Sequence, residues 1–203
     1  MSLIDALFKN QILFDIFRQI VHKNFELEKK TIKKELDLSK ISTVLDFGCG
    51  IGQHSDIFID KNYYGLDSDE RCIAYAKEHF KGNFILSNDK KLPFESGFFD
   101  AVLVNNTFHH IPDGQMDDIL KELHRVVKKS GAMFVLDIVS SKNQTNPVSR
   151  LMVGLDRGKF ARDFEQIRPY FENYFKIQKC YYIKTALYRY KEYIIILSSN
   201  AGK

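Results

Sequence analysis

Tryptophan is absent from the 203 residues, and cysteine occurs only as Cys49, Cys72 and Cys180. An odd number of cysteines, widely spaced and with no Cys-x-x-Cys pair, implies neither a disulfide framework nor a zinc site, and no metal is expected. A reducing cytoplasm is the expected compartment. No apolar run approaches the roughly 18 residues of a membrane helix, and the N-terminus lacks the basic start, apolar core and small-residue cleavage site of a secretion signal. No membrane association is therefore expected. Like charges never gather into a block of about five or six, the usual form of a nucleic-acid tail. Net charge is +4 with a pI near 8.8, and the lysines fall in pairs such as Lys29-Lys30, Lys33-Lys34 and Lys128-Lys129. Such pairs read as solvated helix faces, so a nucleic-acid partner is not expected.

Hydrophobic residues make up 44% of the chain and charged residues 28%, a globular composition. The length fits one domain over 1–203, divided into a helical cover or lid (1–40), a ligand-binding core (41–140), and a loop and hairpin region (141–203).

The organising stretch is Val44-Leu45-Asp46-Phe47-Gly48-Cys49-Gly50-Ile51-Gly52. A β-branched and aromatic run that ends in glycines, followed by helix-like spacing from Gln53 to Asp60, predicts a strand passing into a helix through a ligand loop. Glycines permit the tight turn and bring backbone N–H groups close to a ligand. A dinucleotide loop requires Gly-x-Gly-x-x-Gly, but the third position is Gln53, which disfavours a nicotinamide-dependent oxidoreductase.

Residues 3–21 carry a wide apolar face and predict a helix, with a second from His22 to Leu38. Either role suits them, covering the sheet or closing over its carboxyl edge. The second strand is expected to end at Asp67, nineteen positions after Gly48, where a βαβ unit places an acid for ribose hydroxyls. Helix capping is the other use of Asp67, although Asp69 and Glu70 already suit that task. Phe84–Leu86, Phe98–Val104 and Ala132–Val139 read as the third to fifth strands. Met116, Ile119, Leu120, Leu123, Val126 and Val127 form a helical stripe that begins near Asp113 and is closed by Lys128, Lys129 and Gly131. The tail, Phe175–Lys184 and Ala186–Ser198, reads as an antiparallel pair rich in tyrosine.

The Asp-x-Gly-x-Gly-x-Gly pattern from Asp46 to Gly52 resembles motif I of the class I S-adenosylmethionine-dependent methyltransferases, of the small-molecule type. Asp67, the Leu92-Pro93-Phe94 segment and the Phe99-Asp100 strand extend the resemblance over about residues 41–140. It implies an α/β, Rossmann-like, doubly wound seven-stranded sheet in the order 3-2-1-4-5-7-6 with strand 7 antiparallel. It also implies S-adenosyl-L-methionine as cofactor. Gly48, Gly50 and Gly52 would border its methionine part, Asp46 would lie near the ammonium, and Asp67 would hold the ribose. The acid that meets the adenine in this family falls on Asn88, with Asp89 one place late, and Asn105 at the exit of strand four joins the cofactor set.

The segment Asn105-Asn106-Thr107-Phe108-His109-His110 resembles the His-His stretch after strand four in small-molecule methyltransferases and lacks the Asn-Pro-Pro-aromatic signature of amino-methylating enzymes. His109 and His110 are the candidates for proton transfer, since imidazole titrates near neutrality. Arg157 and Arg162 suit a carboxylate-bearing or anionic acceptor, and a solvated loop is the alternative. The expected activity is methyl transfer to a small molecule, with oxygen favoured. The alternatives are a non-catalytic cofactor-binding or partner-activating subunit, or a nucleic-acid or protein methyltransferase. Oligomeric state stays open.

Overall fold

In a computed structural model, described over residues 25–156, 158–185 and 190–199, seven strands form one sheet in the order β3-β2-β1-β4-β5-β7-β6. The elements are α1 (Glu26–Glu35), β1 (Thr43–Phe47), β2 (Asn62–Asp67), α2 (Glu70–His79), β3 (Asn83–Leu86), β4 (Phe99–Asn105), α3 (Asp113–Val126), β5 (Val127–Ile138), α4 (Pro147–Leu155), α5 (Phe164–Glu172), β6 (Phe175–Thr185) and β7 (Tyr190–Ser199). The pairs β1–β2, β2–β3, β1–β4 and β4–β5 are parallel, and β7 runs antiparallel to both β5 and β6. This is the order and sense that the resemblance implies.

β1 sits between β2 and β4, with Leu45 opposite Tyr64 on one side and Val102 on the other. The chain leaves the sheet in opposite directions after β1 and β4, so their carboxyl ends flank a crevice, as at any topological switch point. The middle strands read as apolar runs because helices cover both faces. On one face Met116, Leu120, Leu123 and Val126 of α3 pack with Ile167 and Phe171 of α5. On the other, Ile32 and Leu36 pack with Ile57, Phe58, Ile73 and Ala76. The 26–36 segment thus covers the sheet. The expected helix at 3–21 and the join at 186–189, with Tyr188, lie outside the described residues.

Two expectations are corrected. Gln53 to Asp60 is not an α-helix: only the 3-10 turn Ser55–Phe58 forms there, with Ser55 N–H donating to Gly52 O and Ile57 N–H to His54 O. α1 occupies the face that a longer crossover helix would cover, and Lys29 Nζ reaches Asp56 Oδ2 at 2.7 Å. Lys128, Lys129 and Gly131 also belong to β5 rather than closing α3. Lys128 Nζ donates to Asp100 Oδ1 at 2.6 Å, holding the segment beside the start of β4, where the register shifts between Phe99 and Ala101.

Candidate functional site

β1 ends at Phe47, and the chain turns through Gly48, Gly50 and Gly52 with φ of 74°, 53° and 83°. L side chains rarely adopt such values. Packing removes any remaining room: a Cβ on Gly48 would lie 2.3 Å from Thr107 Oγ1, and one on Gly52 would lie 2.9 Å from the Phe84 ring. The loop is also fastened to β2. Gly48 and Cys49 N–H groups donate to Leu66 O at 2.8 and 3.1 Å, and Gly50 N–H donates to Asp67 Oδ2 at 2.8 Å. Asp69 N–H donates to Asp67 Oδ1 at 2.9 Å. Two backbone donors therefore aim the Asp67 carboxylate, and each oxygen keeps acceptor capacity for a ligand hydroxyl.

Beyond this loop lies a cavity of about 740 Å³ lined by Gly48, Gly50 and Asp67, by Asn88 and Asp89 after β3, and by Asn105 and His110 after β4. α3 shapes its far wall: Leu92 N–H donates to Glu122 Oε2 at 2.9 Å, and Arg125 Nη1 donates to Phe94 O at 2.7 Å. Among the described residues the walls carry the carboxylates Asp67, Asp69, Asp89, Asp118 and Glu122 and only one lysine, Lys90. Gln53 Oε1 and Asn106 Oδ1 are buried acceptors with no hydrogen-bond partner among the described residues. Such walls fit a cationic ligand rich in N–H and O–H donors and disfavour an anionic pyrophosphate. The sulfonium, ammonium, ribose hydroxyls and adenine amino group of S-adenosylmethionine match them.

Asp46 sits behind the loop, 1% exposed, and does not line the cavity. Its Oδ2 accepts from the Tyr63 hydroxyl at 2.6 Å, and Oδ1 has no partner among the described residues. Burial raises its pKa, the Tyr63 hydroxyl opposes the rise, the Asp67 charge adds to it, and the carboxyl stands at about 7. A nearby cation would favour its ionised form.

The two histidines have separate surroundings. His109 is 3% exposed; its Nδ1 lies 2.5 Å from Asp137 Oδ1, its backbone N–H donates to Asp137 Oδ2 at 3.1 Å, and its Nε2 lies 3.3 Å from Asp156 Oδ1. Burial pulls its pKa down, but the two carboxylates outweigh that and hold the imidazolium to about 9. His110 is exposed and lines the cavity, its ring 4.1 Å from that of His109.

A family profile described as "Methyltransferase domain" matches residues 45–135. The demethylmenaquinone methyltransferase of Thermotoga maritima is 27% identical over 169 residues, covering 76% of this chain and 72% of that protein. A crystal structure of a protein from Pyrococcus horikoshii OT3 superposes with a TM-score of 0.67 at 20% identity, covering 90% of each chain. A structure titled as SAM-dependent methyltransferases from Methanosarcina mazei gives 0.65 at 17% identity, covering 83% of this chain and 96% of that one. The chain carries a methyltransferase domain over residues 45–135. Its cofactor is S-adenosylmethionine. Among the described residues, no helix of the methyltransferase is long and apolar enough to cross a membrane.

Of the residues singled out in the sequence, Gly48, Gly50, Asp67, Asn88, Asp89, Asn105 and His110 meet at one cavity. Gly52, Asp46 and His109 lie behind its wall. Arg162 is buried and committed elsewhere in the methyltransferase: its Nη1 donates to Phe108 O at 3.1 Å, its Nη2 to Ile111 O at 2.7 Å, and its Nε to Asp113 Oδ1 at 2.8 Å. It fastens the turn that carries the histidines rather than lining the cavity. Arg157 lies outside the described residues. Sequence reasoning passed over Thr107, Gln53, Tyr63 and Asp137. Only Asp137 left a signal, as an acid inside the apolar run Phe134-Val135-Leu136-Asp137-Ile138.

Proposed function

We propose that this methyltransferase acts on a small-molecule acceptor bearing an ionisable hydroxyl, with oxygen the favoured acceptor atom. When bound, S-adenosylmethionine supplies a methyl group already activated on a sulfonium. The chain's task is to position the acceptor and exclude water, which accounts for about 7 to 11 kcal/mol of a barrier in well-oriented systems. Asp67 is assigned the ribose hydroxyls, Asn88 and Asp89 the adenine edge, and Gly48 and Gly50 the methionine part, with Asn105 beside it, while Gly52 and Asp46 support the loop from behind. Activation of the acceptor hydroxyl falls to His110, and His109 braces it. The observation that carries this reading is His110 on the cavity wall, its ring tilted against that of a neighbour clamped by two carboxylates. The relative named for demethylmenaquinone supports a small quinone-class acceptor. Loss of a proton from a hydroquinone enriches both its oxygen and the adjacent ring carbon, so the product identifies the methylated atom. The whole chain is taken as one domain, acting in the cytoplasm without a nucleic-acid partner.

Transfer of a labelled methyl group to a panel of phenols and hydroquinones, with products identified by mass spectrometry, tests the proposal. Acceptor-dependent transfer is expected. Binding of S-adenosylhomocysteine without transfer to any acceptor would favour a non-catalytic, partner-activating role.

A further inference from the structure

We propose that His109, His110 and Asp156 form a binding site for one divalent transition-metal ion, zinc or a chemically similar ion, in the wall of the acceptor cavity. One ligand atom from each lies within 4.8 Å of the other two. The 3.3 Å between His109 Nε2 and Asp156 Oδ1 is about the separation of two ligands across a tetrahedral ion with bonds of roughly 2.0 to 2.1 Å. Two imidazoles and a carboxylate suit zinc, cobalt or nickel, whereas magnesium and calcium prefer all-oxygen shells.

The surroundings hold these donors in place. Asp137 takes the Nδ1 side of His109 and is 1% exposed, which leaves Nε2 as the ligating nitrogen. A carboxylate behind a histidine is the usual outer support of a metal-bound imidazole. On the other side the chain presses so close that a Cβ on Gly158 would lie 1.8 Å from His109 Cδ2, and Gly158 N–H donates to Asp156 Oδ1 at 2.6 Å. The ion replaces the proton that His109 otherwise shares with Asp156, so binding releases protons. Three protein ligands leave a fourth position, and His110 places the site at the cavity.

The use of such an ion rests on the small-molecule reading above. An acceptor hydroxyl held there loses its proton to solvent more readily and keeps its lone pair for attack, because the ion stabilises the oxyanion. His110 then activates the acceptor as a ligand.

The test is a cobalt(II) titration of chelator-treated protein followed by visible absorption, with S-adenosylhomocysteine binding measured on the same samples. One equivalent should give tetrahedral ligand-field bands, and His110→Ala or Asp156→Asn should weaken binding by at least about tenfold. His79→Ala, on the distant α2, should change nothing. His110 is exposed, so its replacement leaves the core intact. Absence of the bands, or equal affinity in the wild type and the site variants, overturns the metal site. Failure of S-adenosylhomocysteine to bind while the bands persist sinks the cofactor assignment and leaves the metal site standing.

Discussion

Asp67 Oδ2 accepts a hydrogen bond from the Gly50 N–H at 2.8 Å, which ties the carboxylate at the end of β2 to the loop at the end of β1. On the proposed assignment, the ribose contact and the methionine contact depend on this one interaction. A change at either residue is felt at both.

The loop's tolerance is set by Thr107. Gly48→Ala puts a methyl 2.3 Å from Thr107 Oγ1 at a φ of +74°. A loss of about 1 to 3 kcal/mol in stability is expected, together with weaker cofactor binding. Adding Thr107→Ala removes the two nearest atoms and should recover part of the loss. Denaturant melts of the two single variants and the double variant measure that coupling; strict additivity would mean the two residues do not meet.

His109 and His110 should separate cleanly. His109→Ala leaves Asp137 and Asp156 without their shared counter-charge, and a loss of about 3 kcal/mol or more is expected in thermal or chemical melts at neutral pH. His110→Ala should leave stability nearly unchanged and lower turnover by about 10²-fold or more, with S-adenosylhomocysteine affinity preserved. The opposite pattern, with His110 structural and His109 needed only for turnover, would reverse their roles.

The sequence made this pair visible but not its division of labour. Adjacent histidines after an apolar strand are one signal, whereas their surroundings come from β5 and from Asp156, respectively 28 and 47 positions further on from His109. Arg162 shows the same limit. Its charge was legible, but its partners, the Phe108 and Ile111 carbonyls and Asp113, are about 50 residues away. The sheet was more legible, because strand periodicity and the glycine turn are local properties. Gln53 to Asp60 misled because its apolar spacing serves a 3-10 turn tucked beneath α1 as well as it would serve a helix.

Acid should loosen the start of β4. Burial alone would raise the pKa of Asp100, but Lys128 Nζ and the N–H groups of Ser42 and Thr43 outweigh it and hold the carboxyl at about 2. A carboxyl lower in the folded than in the unfolded chain stabilises above its unfolded value of about 3.9, and that contribution fades as pH falls toward 2. Allowing for partial exposure, it amounts to about 1 to 2 kcal/mol. Asp100→Asn should cost that much at pH 7 and almost nothing near pH 2. A cost that does not change with pH would point to shape rather than charge.

The central claim is that the crevice between the carboxyl ends of β1 and β4 holds S-adenosylmethionine through Asp67. Calorimetric titration with S-adenosylhomocysteine tests it most directly. One molecule should bind per chain, and Asp67→Asn should weaken binding by about 10- to 100-fold, as expected when a charge-assisted hydrogen bond is lost. No binding by the wild type, or binding of NADH in its place, would contradict the account.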